Sequence, residues 1–329
     1  MTAPTMDSFW SGKQVVVTGG AGFIGSYTVE LLLEAGASVR VPIRDPDNAG
    51  HLSKPILAEI ELLTADLADE PSCMRVVEGA DIVLNLAADV GGIDYNMRHP
   101  ASIFRNNTTA FMNVLEAARV CEVERFLAVS SACVYARECP IPTPETEGFE
   151  GVPEPTNGGY GWAKRMQEYL ADAYHQQYGM RIAIARPYNA YGPRDNFDPA
   201  ASHVISALIR RVCEGENPLA VWGDGKQSRS FLYAEDFARG LLLTAEQYAE
   251  SDVLNIGSDE EVTIGELVEL IVDLSGAELT IDFDTSKPVG QLRRCCDTRK
   301  AAEKIGFAAR TPLADGLRRT IDYYRSIAS

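Results

Sequence analysis

The chain has 329 residues, 46% of them hydrophobic, and 30 Lys and Arg against 47 Asp and Glu give it a formal net charge of −17. That length buries a full core and exceeds one simple domain, so one large domain plus a lobe is expected. No apolar run reaches membrane-spanning length, and the acidic balance argues against nucleic acid or an anionic membrane as partner. A small anionic ligand stays open, because a local basic pocket overrules the global field. Cysteines number seven, an odd count, and the segment from Met1 to Trp10 is polar with no apolar core of a secretion signal. Reduced thiols in a cytoplasm are therefore expected. No group of residues has metal-ligand spacing, so no metal is expected.

In chain order, Gln14–Thr18 is a short β-rich strand. Gly19-Gly-Ala-Gly22-Phe23-Ile24-Gly25 follows and opens an amphipathic helix running to about Ala35. Glycines at this spacing permit a tight turn, let the backbone approach a pyrophosphate and seat a helix N-terminus against it. A second strand, Ser38–Ile43, ends without the acid that takes the ribose hydroxyls in NAD-binding folds. Arg44 stands there instead, placed for a 2′-phosphate, with Asp45 one residue late. NADP(H) is the favoured cofactor, with NAD(H) the alternative. Ile60–Leu67 reads as a third strand whose Asp66 and Leu67 suit the adenine. Asp81–Ala88 reads as a fourth, with small residues at Ala87 that let a cofactor pass close. Val90-Gly91-Gly92-Ile93 reads as a flexible loop beside the nicotinamide and the sugar. A helix spans Pro100–Val120, within which Asn106 and Asn107 suit local anchoring.

The central stretch runs from Val129 to Lys164. Phe126–Ser131 reads as a buried parallel strand, and a Ser at its carboxyl end sits where open α/β sheets bind ligands. Tyr160 and Lys164 are four apart in a segment of helical periodicity, so both project from one face. A Lys beside a Tyr favours phenolate, and Ser131 can bond the same substrate oxygen. This is a proton-transfer site for a carbonyl/alcohol pair. Cys133 adds a second acid/base or nucleophile two residues on. Arg181–Arg186 forms a further strand leading to Asn189. Beyond it the alternation loosens into a smaller lobe: a helix opening at Ser202-His203 and carrying Arg210 and Arg211, a strand and turn at Ala220–Gly225 with Trp222, then Arg229, Lys287, Arg293 and Arg294. Cations grouped with an aromatic residue on an acidic protein suit a nucleoside diphosphate. The fold expected is α/β, a Rossmann-like doubly wound parallel sheet with a smaller mixed α/β substrate lobe. Residues 1–193 mainly hold the dinucleotide and 194–329 mainly the substrate, the chain crossing back at about 230–258.

On these residues the chain resembles the extended short-chain dehydrogenase/reductases that modify nucleotide sugars. General marks are the glycine loop, the Tyr160/Lys164 pair and Asn189-Ala-Tyr-Gly-Pro193. More specific segments (Val90–Ile93, Ser131–Tyr135, Tyr191–Pro199, Ser202–Ile205, Val221–Gly223 with Arg229, and Ser286-Lys287-Pro288) are similar to those of the branch that epimerises and reduces GDP-4-keto-6-deoxymannose with NADPH. The resemblance implies Ser131, Tyr160 and Lys164 as the reductase triad, with Cys133 and His203 as epimerase base and acid. Tyr160 and Lys164 would also hold the cofactor. The resemblance further implies substrate contacts from Val90, Gly91, Asn189, Arg211, Trp222, Arg229 and Lys287. Two departures are visible. The glycine loop lacks the His-Arg pair common in that branch, and Ala132 gives a Ser-Ala-Cys run also similar to GDP-mannose 3,5-epimerases, which keep NAD bound. A sensor with the fold but no turnover has no need of Ser131, Tyr160 and Lys164 together. By fold analogy a homodimer would form through the Pro100–Val120 and Gly161–Gly179 helices.

Overall fold

The computed structural model describes residues 7–45, 47, 49–199, 201–287 and 291–328; Pro288 lies outside them. Its centre is a parallel sheet built from β1 (Gln14–Thr18), β2 (Ser38–Ile43), β3 (Glu61–Thr64), β4 (Ile82–Asn85), β5 (Arg125–Val129), β6 (Ile182–Pro187) and β7 (Val253–Ile256). The strand order is β7-β6-β5-β4-β1-β2-β3, and every neighbouring pair is parallel. Strands β4, β5 and β6 are buried at every position, which explains their continuous apolar runs. Alternation along β1 divides the core. Val15 and Val17 face one side with Leu32, Leu241 and Phe307, and Val16 faces the other with Phe111, Phe126 and Ile184. The expected α/β doubly wound class is the observed one.

Helix α1 (Phe23–Glu34) follows β1, α2 (Pro100–Val120) precedes β5, and α3 (Gly158–Tyr178) precedes β6. Helix α4 (Val204–Cys213) belongs to a separate core containing Ile205, Ile209, Leu219, Val221, Leu267, Ile271, Leu317 and Ile321. Around that core, Leu219–Trp222 pairs with Ile281–Asp284, and Ser228–Ser230 lies between Glu261–Thr263 and Arg293–Arg294. Helix α5 (Ala234–Gln247) packs on α1 and returns the chain to the main sheet as β7. No helix among the described residues is long and apolar enough to cross a membrane.

Two local expectations change. Strand β5 ends at Val129, not Ser131, because the Ser131 hydroxyl accepts from Cys133 N at 3.1 Å and caps a tight helical turn over Ala132–Val134. The segment expected to flex at Val90–Ile93 is tied down. Asn96 Nδ2 donates to Gly91 O at 2.6 Å and to Gly92 O at 3.0 Å. Asn107 Oδ1 and Nδ2 bond the backbone N–H and C=O of Asp89, both at 3.0 Å. The asparagine side chains supply the partners a Gly-Gly run lacks, which gives Asn107 its structural role.

Beneath the ends of β5, β6 and β7 lies a buried ion pair. Arg186 Nε and Nη2 donate to Glu168 at 2.7 and 2.6 Å, and both side chains are 2% exposed. Ser130 Oγ also donates to Glu168. Arg186 Nη1 reaches Tyr135 OH at 3.0 Å, and Tyr135 donates to Asn255 Oδ1 at 2.6 Å. Glu168→Ala would strand a buried guanidinium and is expected to destabilise the protein by roughly 3–5 kcal/mol. Asp315→Ala, which breaks an exposed pair with Arg318, should change stability by less than about 1 kcal/mol. Urea unfolding followed by circular dichroism would separate the two.

Candidate active site

The strand order reverses between β1 and β4, and a crevice opens beyond their carboxyl ends where open α/β sheets take ligands. The glycine loop lines it. Gly19 has φ +70°, and a Cβ there would stand 2.9 Å from Ala87 N. A Cβ on Gly25 would lie 2.0 Å from Gly19 O, so the helix can approach the strand only with glycine. Gly22 precedes α1 and no side chain caps the helix, so its first N–H groups face the crevice. Phe23 and Ile24 form its first turn, with Ile24 packed on the core. Thr18 Oγ1 donates to Asn85 Oδ1 at 2.8 Å and accepts from Ala87 N at 3.1 Å, locking the two crevice strands together. Arg44 is exposed directly after β2. Asp66, also exposed, accepts from Ala68 N at 3.0 Å, and Leu67 O accepts from Asn113 at 3.1 Å. A glycine cradle and an uncapped helix start suit a dinucleotide pyrophosphate.

Next to this crevice the structure assembles Ser131, Cys133, Tyr160 and Lys164. Tyr160 and Lys164 occupy one face of α3, with Lys164 Nζ 5.5 Å from the Tyr160 ring centroid. Burial pushes the Tyr160 phenol well above its ordinary value; the Cys133 thiol adds to this, and a hydrogen bond from Ser131 opposes it. The expected lowering by Lys164 is not the governing effect. The ammonium lies against the ring face and is held elsewhere, donating to Val129 O at 2.7 Å and Gln167 Oε1 at 3.0 Å. Burial brings Lys164 down to about 8, against the pull of Glu168 and Cys133.

Arg294, grouped in the sequence with cations suited to a nucleoside diphosphate, stands instead beside Cys133. It comes from the far end of the chain, on the strand paired with Ser228–Arg229, and lies close enough to the Cys133 thiol for the two to influence each other's charge. Its Cζ lies 5.9 Å over the Tyr188 ring. Burial disfavours its charge, but Cys133 and Tyr188 more than offset this and raise its pKa. Neighbouring Arg229 donates to Ser228 O and Gln291 O, each at 2.7 Å. Burial, then the Arg294 charge, lowers its pKa. Two adjacent guanidiniums, one of them held by carbonyls alone, suit an anion.

The remaining predicted residues are spread along the lobe. His203 precedes α4, its side chain 56% exposed, with Nδ1 3.5 Å from Asp195 Oδ1. The hydrogen bond to Asp195 raises its pKa against the opposing effect of burial. Asp195 is 7% exposed, and its Oδ2 has no hydrogen-bond partner among the described residues. Trp222 is 61% exposed, which removes core packing as its role. Register places Trp222 opposite Asp284, with exposed Lys287 three residues beyond. Arg211 is held by Glu216 at 2.7 Å and by Ala220 O at 2.7 Å, so its charge is already partnered. Asn189 Nδ2 donates to Ser230 O at 2.8 Å, joining the sheet end to the lobe. Val90 is 52% exposed, and Gly91 packs so closely on Tyr95 that a Cβ would lie 2.4 Å from the ring.

The NAD dependent epimerase/dehydratase family matches residues 15–257. A probable GDP-L-fucose synthase 1 of Oryza sativa subsp. japonica is 35% identical over 318 residues, covering 95% of this chain and 92% of that protein. A GDP-mannose 3,5-epimerase 1 of the same plant is 32% identical, covering 95% and 82%. Among solved structures, a GDP-L-fucose synthetase from Naegleria fowleri bound to NADP superimposes with a TM-score of 0.82 at 26% identity, over 96% of this chain and 93% of that one. Fold, glycine crevice and these matches together place the chain in the NAD dependent epimerase/dehydratase family.

Proposed function

We propose that this enzyme is a 3,5-epimerase/4-reductase of a GDP-4-keto sugar, converting GDP-4-keto-6-deoxymannose or a close analogue to GDP-L-fucose or its counterpart with NADPH. The observation that carries the reading is a thiol, Cys133, inside the Ser131/Tyr160/Lys164 cluster and backed by a guanidinium. A simple reductase needs no such base. The C4 carbonyl makes the hydrogens at C3 and C5 acidic, since the carbanion delocalises onto the C4 oxygen. Cys133 removes the proton as thiolate, and His203, whose pKa Asp195 raises, returns one to the opposite face. Tyr160 and Ser131 hold the C4 oxygen as its charge develops. A nicotinamide dinucleotide, when bound, would supply the hydride for C4, and Tyr160 would give its proton to the C4 oxygen to complete the alcohol. Lys164 holds Tyr160 and the nicotinamide side of the cofactor. Gly19, Gly22, Phe23, Ile24 and Gly25 seat the pyrophosphate, with Asp66, Leu67 and Ala87 along the adenosine.

The second core, built on α4, would hold the sugar nucleotide. Arg229 faces the phosphates there, Trp222 and Lys287 flank the nucleoside, and Arg211 braces the Trp222 strand through Ala220 O. Val90, Gly91 and Asn189 border the sugar. Arg44 supports NADP(H), as does the NADP in the Naegleria relative. A homodimer through α2 and α3 is supported by exposed Phe104, Met112, Trp162, Met166 and Tyr169 on these paired helices. The free cysteines among the described residues suit a reducing cytoplasm.

The second reading, a GDP-mannose 3,5-epimerase that retains NAD, is favoured by the Ser131-Ala132-Cys133 run and by the 32% identity to such a protein. Purified protein given GDP-4-keto-6-deoxymannose should consume NADPH in stoichiometry with product. Absence of consumption, with GDP-mannose epimerised instead, would overturn the first reading. Tyr160→Phe should lower kcat by about 10²–10⁴-fold, and Cys133→Ser should abolish deuterium uptake from solvent at C3 and C5. Because Asp195 raises the His203 pKa, proton return should fade only as pH rises through that elevated value, at higher pH than for an ordinary imidazole. Arg44→Ala should weaken NADPH while leaving NADH nearly unchanged, as read by fluorescence titration. Met166→Glu with Tyr169→Glu should convert a dimer to a monomer in light scattering.

A further inference from the structure

Lys164 is 2% exposed and carries three donors, of which Val129 O takes one at 2.7 Å and Gln167 Oε1 a second at 3.0 Å. Gln167 is itself 2% exposed, and its Nε2 donates to Asn107 O at 2.9 Å. That bond fixes the amide with its oxygen toward the ammonium. Asn107 in turn bonds Ile103 O at 2.8 Å and both backbone groups of Asp89 at 3.0 Å. Hydrogen bonds, buried around Lys164 and part-buried at Asp89, thus link the Asp89–Gly92 segment through the side chain and carbonyl of Asn107 on α2 to the Lys164 ammonium on α3.

We propose that Gln167 is a positioning residue that aims the Lys164 ammonium, keeps it charged, and ties it to the segment bordering the sugar and nicotinamide. The inference rests on the reading of Lys164 as the residue that holds the nicotinamide side of the cofactor. With two donors fixed by Val129 O and Gln167 Oε1, the third has one direction left. The charged and titratable groups around Lys164 are Tyr160 and Glu168 on α3, Arg186 on β6 paired with Glu168, and Cys133 after β5 with Arg294 at its thiol. From α2 the contribution is the neutral Asn107 carbonyl, which reaches the ammonium through Gln167. Burial already disfavours the charge, so each acceptor on Nζ counts toward keeping it.

NADPH affinity is to be measured by fluorescence across neutral to alkaline pH for wild type, Gln167→Met and Gln167→Glu, with melting temperatures alongside. The methionine variant removes the acceptor at similar volume, which disfavours the ammonium. The alkaline fall in affinity should then move to lower pH by about one unit, the worth of one charge-assisted hydrogen bond. The glutamate variant places a carboxylate at the ammonium and should move the fall to higher pH. Titrations of both variants that superimpose on wild type, with only the melting temperature lowered, would overturn the inference. If the methionine variant does not fold, the glutamate variant decides alone: an upward move supports the inference, and superposition overturns it. No sugar enters this measurement. Failure of the GDP-sugar reading would therefore show as absent turnover with an intact wild-type titration, and failure of this inference as superimposed titrations.

Discussion

The Glu168–Arg186 pair is the constraint on which the catalytic half of the molecule depends. One carboxylate on α3 receives Arg186 from β6 and Ser130 from the end of β5, and Arg186 passes the network on to Tyr135 and, through it, to Asn255 on β7. Taking two charges out of water is costly, and only near-complete hydrogen bonding offsets it. The arrangement admits one relative placement of α3 and three strands. Lys164, one turn before Glu168, inherits that placement, and so does Tyr160 one turn earlier. Geometry at the site is thus set from below, by groups that touch neither substrate nor cofactor.

A second constraint acts on the backbone. Gly19 and Gly25 permit distances that any side chain would forbid, and Thr18, Asn85 and Ala87 close the far wall of the same crevice. What the crevice offers a ligand is chiefly main-chain chemistry, since an uncapped helix start leaves its own donors unpaired by side chains. The proton-transfer groups are side chains carried on α3 and the turn after β5. The two sets of groups thus come from different parts of the main domain and depend on different local constraints.

Much of this was legible in the sequence because it is written locally. Runs such as Ile82–Asn85 and Ile182–Ala185 announce buried parallel strands, the glycines announce the turn, and the spacing of Tyr160 and Lys164 places both on one helix face. What stayed hidden depends on partners far apart. Arg294 reaches Cys133 from 161 positions away, and Gln167 meets Asn107 from a neighbouring helix. Periodicity carries no trace of either contact. Gly91-Gly92 suggested mobility by composition, while the amides that hold the segment come from Asn96 and Asn107. The Tyr160 phenol, read as lowered by its lysine, is raised because burial outweighs a charge directed toward other acceptors. Exposure of Trp222 is likewise a tertiary fact, since an alternating strand pattern fits either face.

The core on the α1 side of the sheet draws on Trp10 near one end of the chain and on Leu241, Ile256 and Phe307 near the other. Strand β7 is made after the whole of α4, and Phe307 after most of the second lobe. During synthesis on a ribosome, the first six strands therefore emerge with the face beside β6 and α1 still uncovered. That surface stays open to chaperones or to wrong partners until β7 and Phe307 have left the exit tunnel. The glycine crevice, although encoded almost wholly in the first 90 residues, thus rests on a core that is filled only once Phe307 is in place.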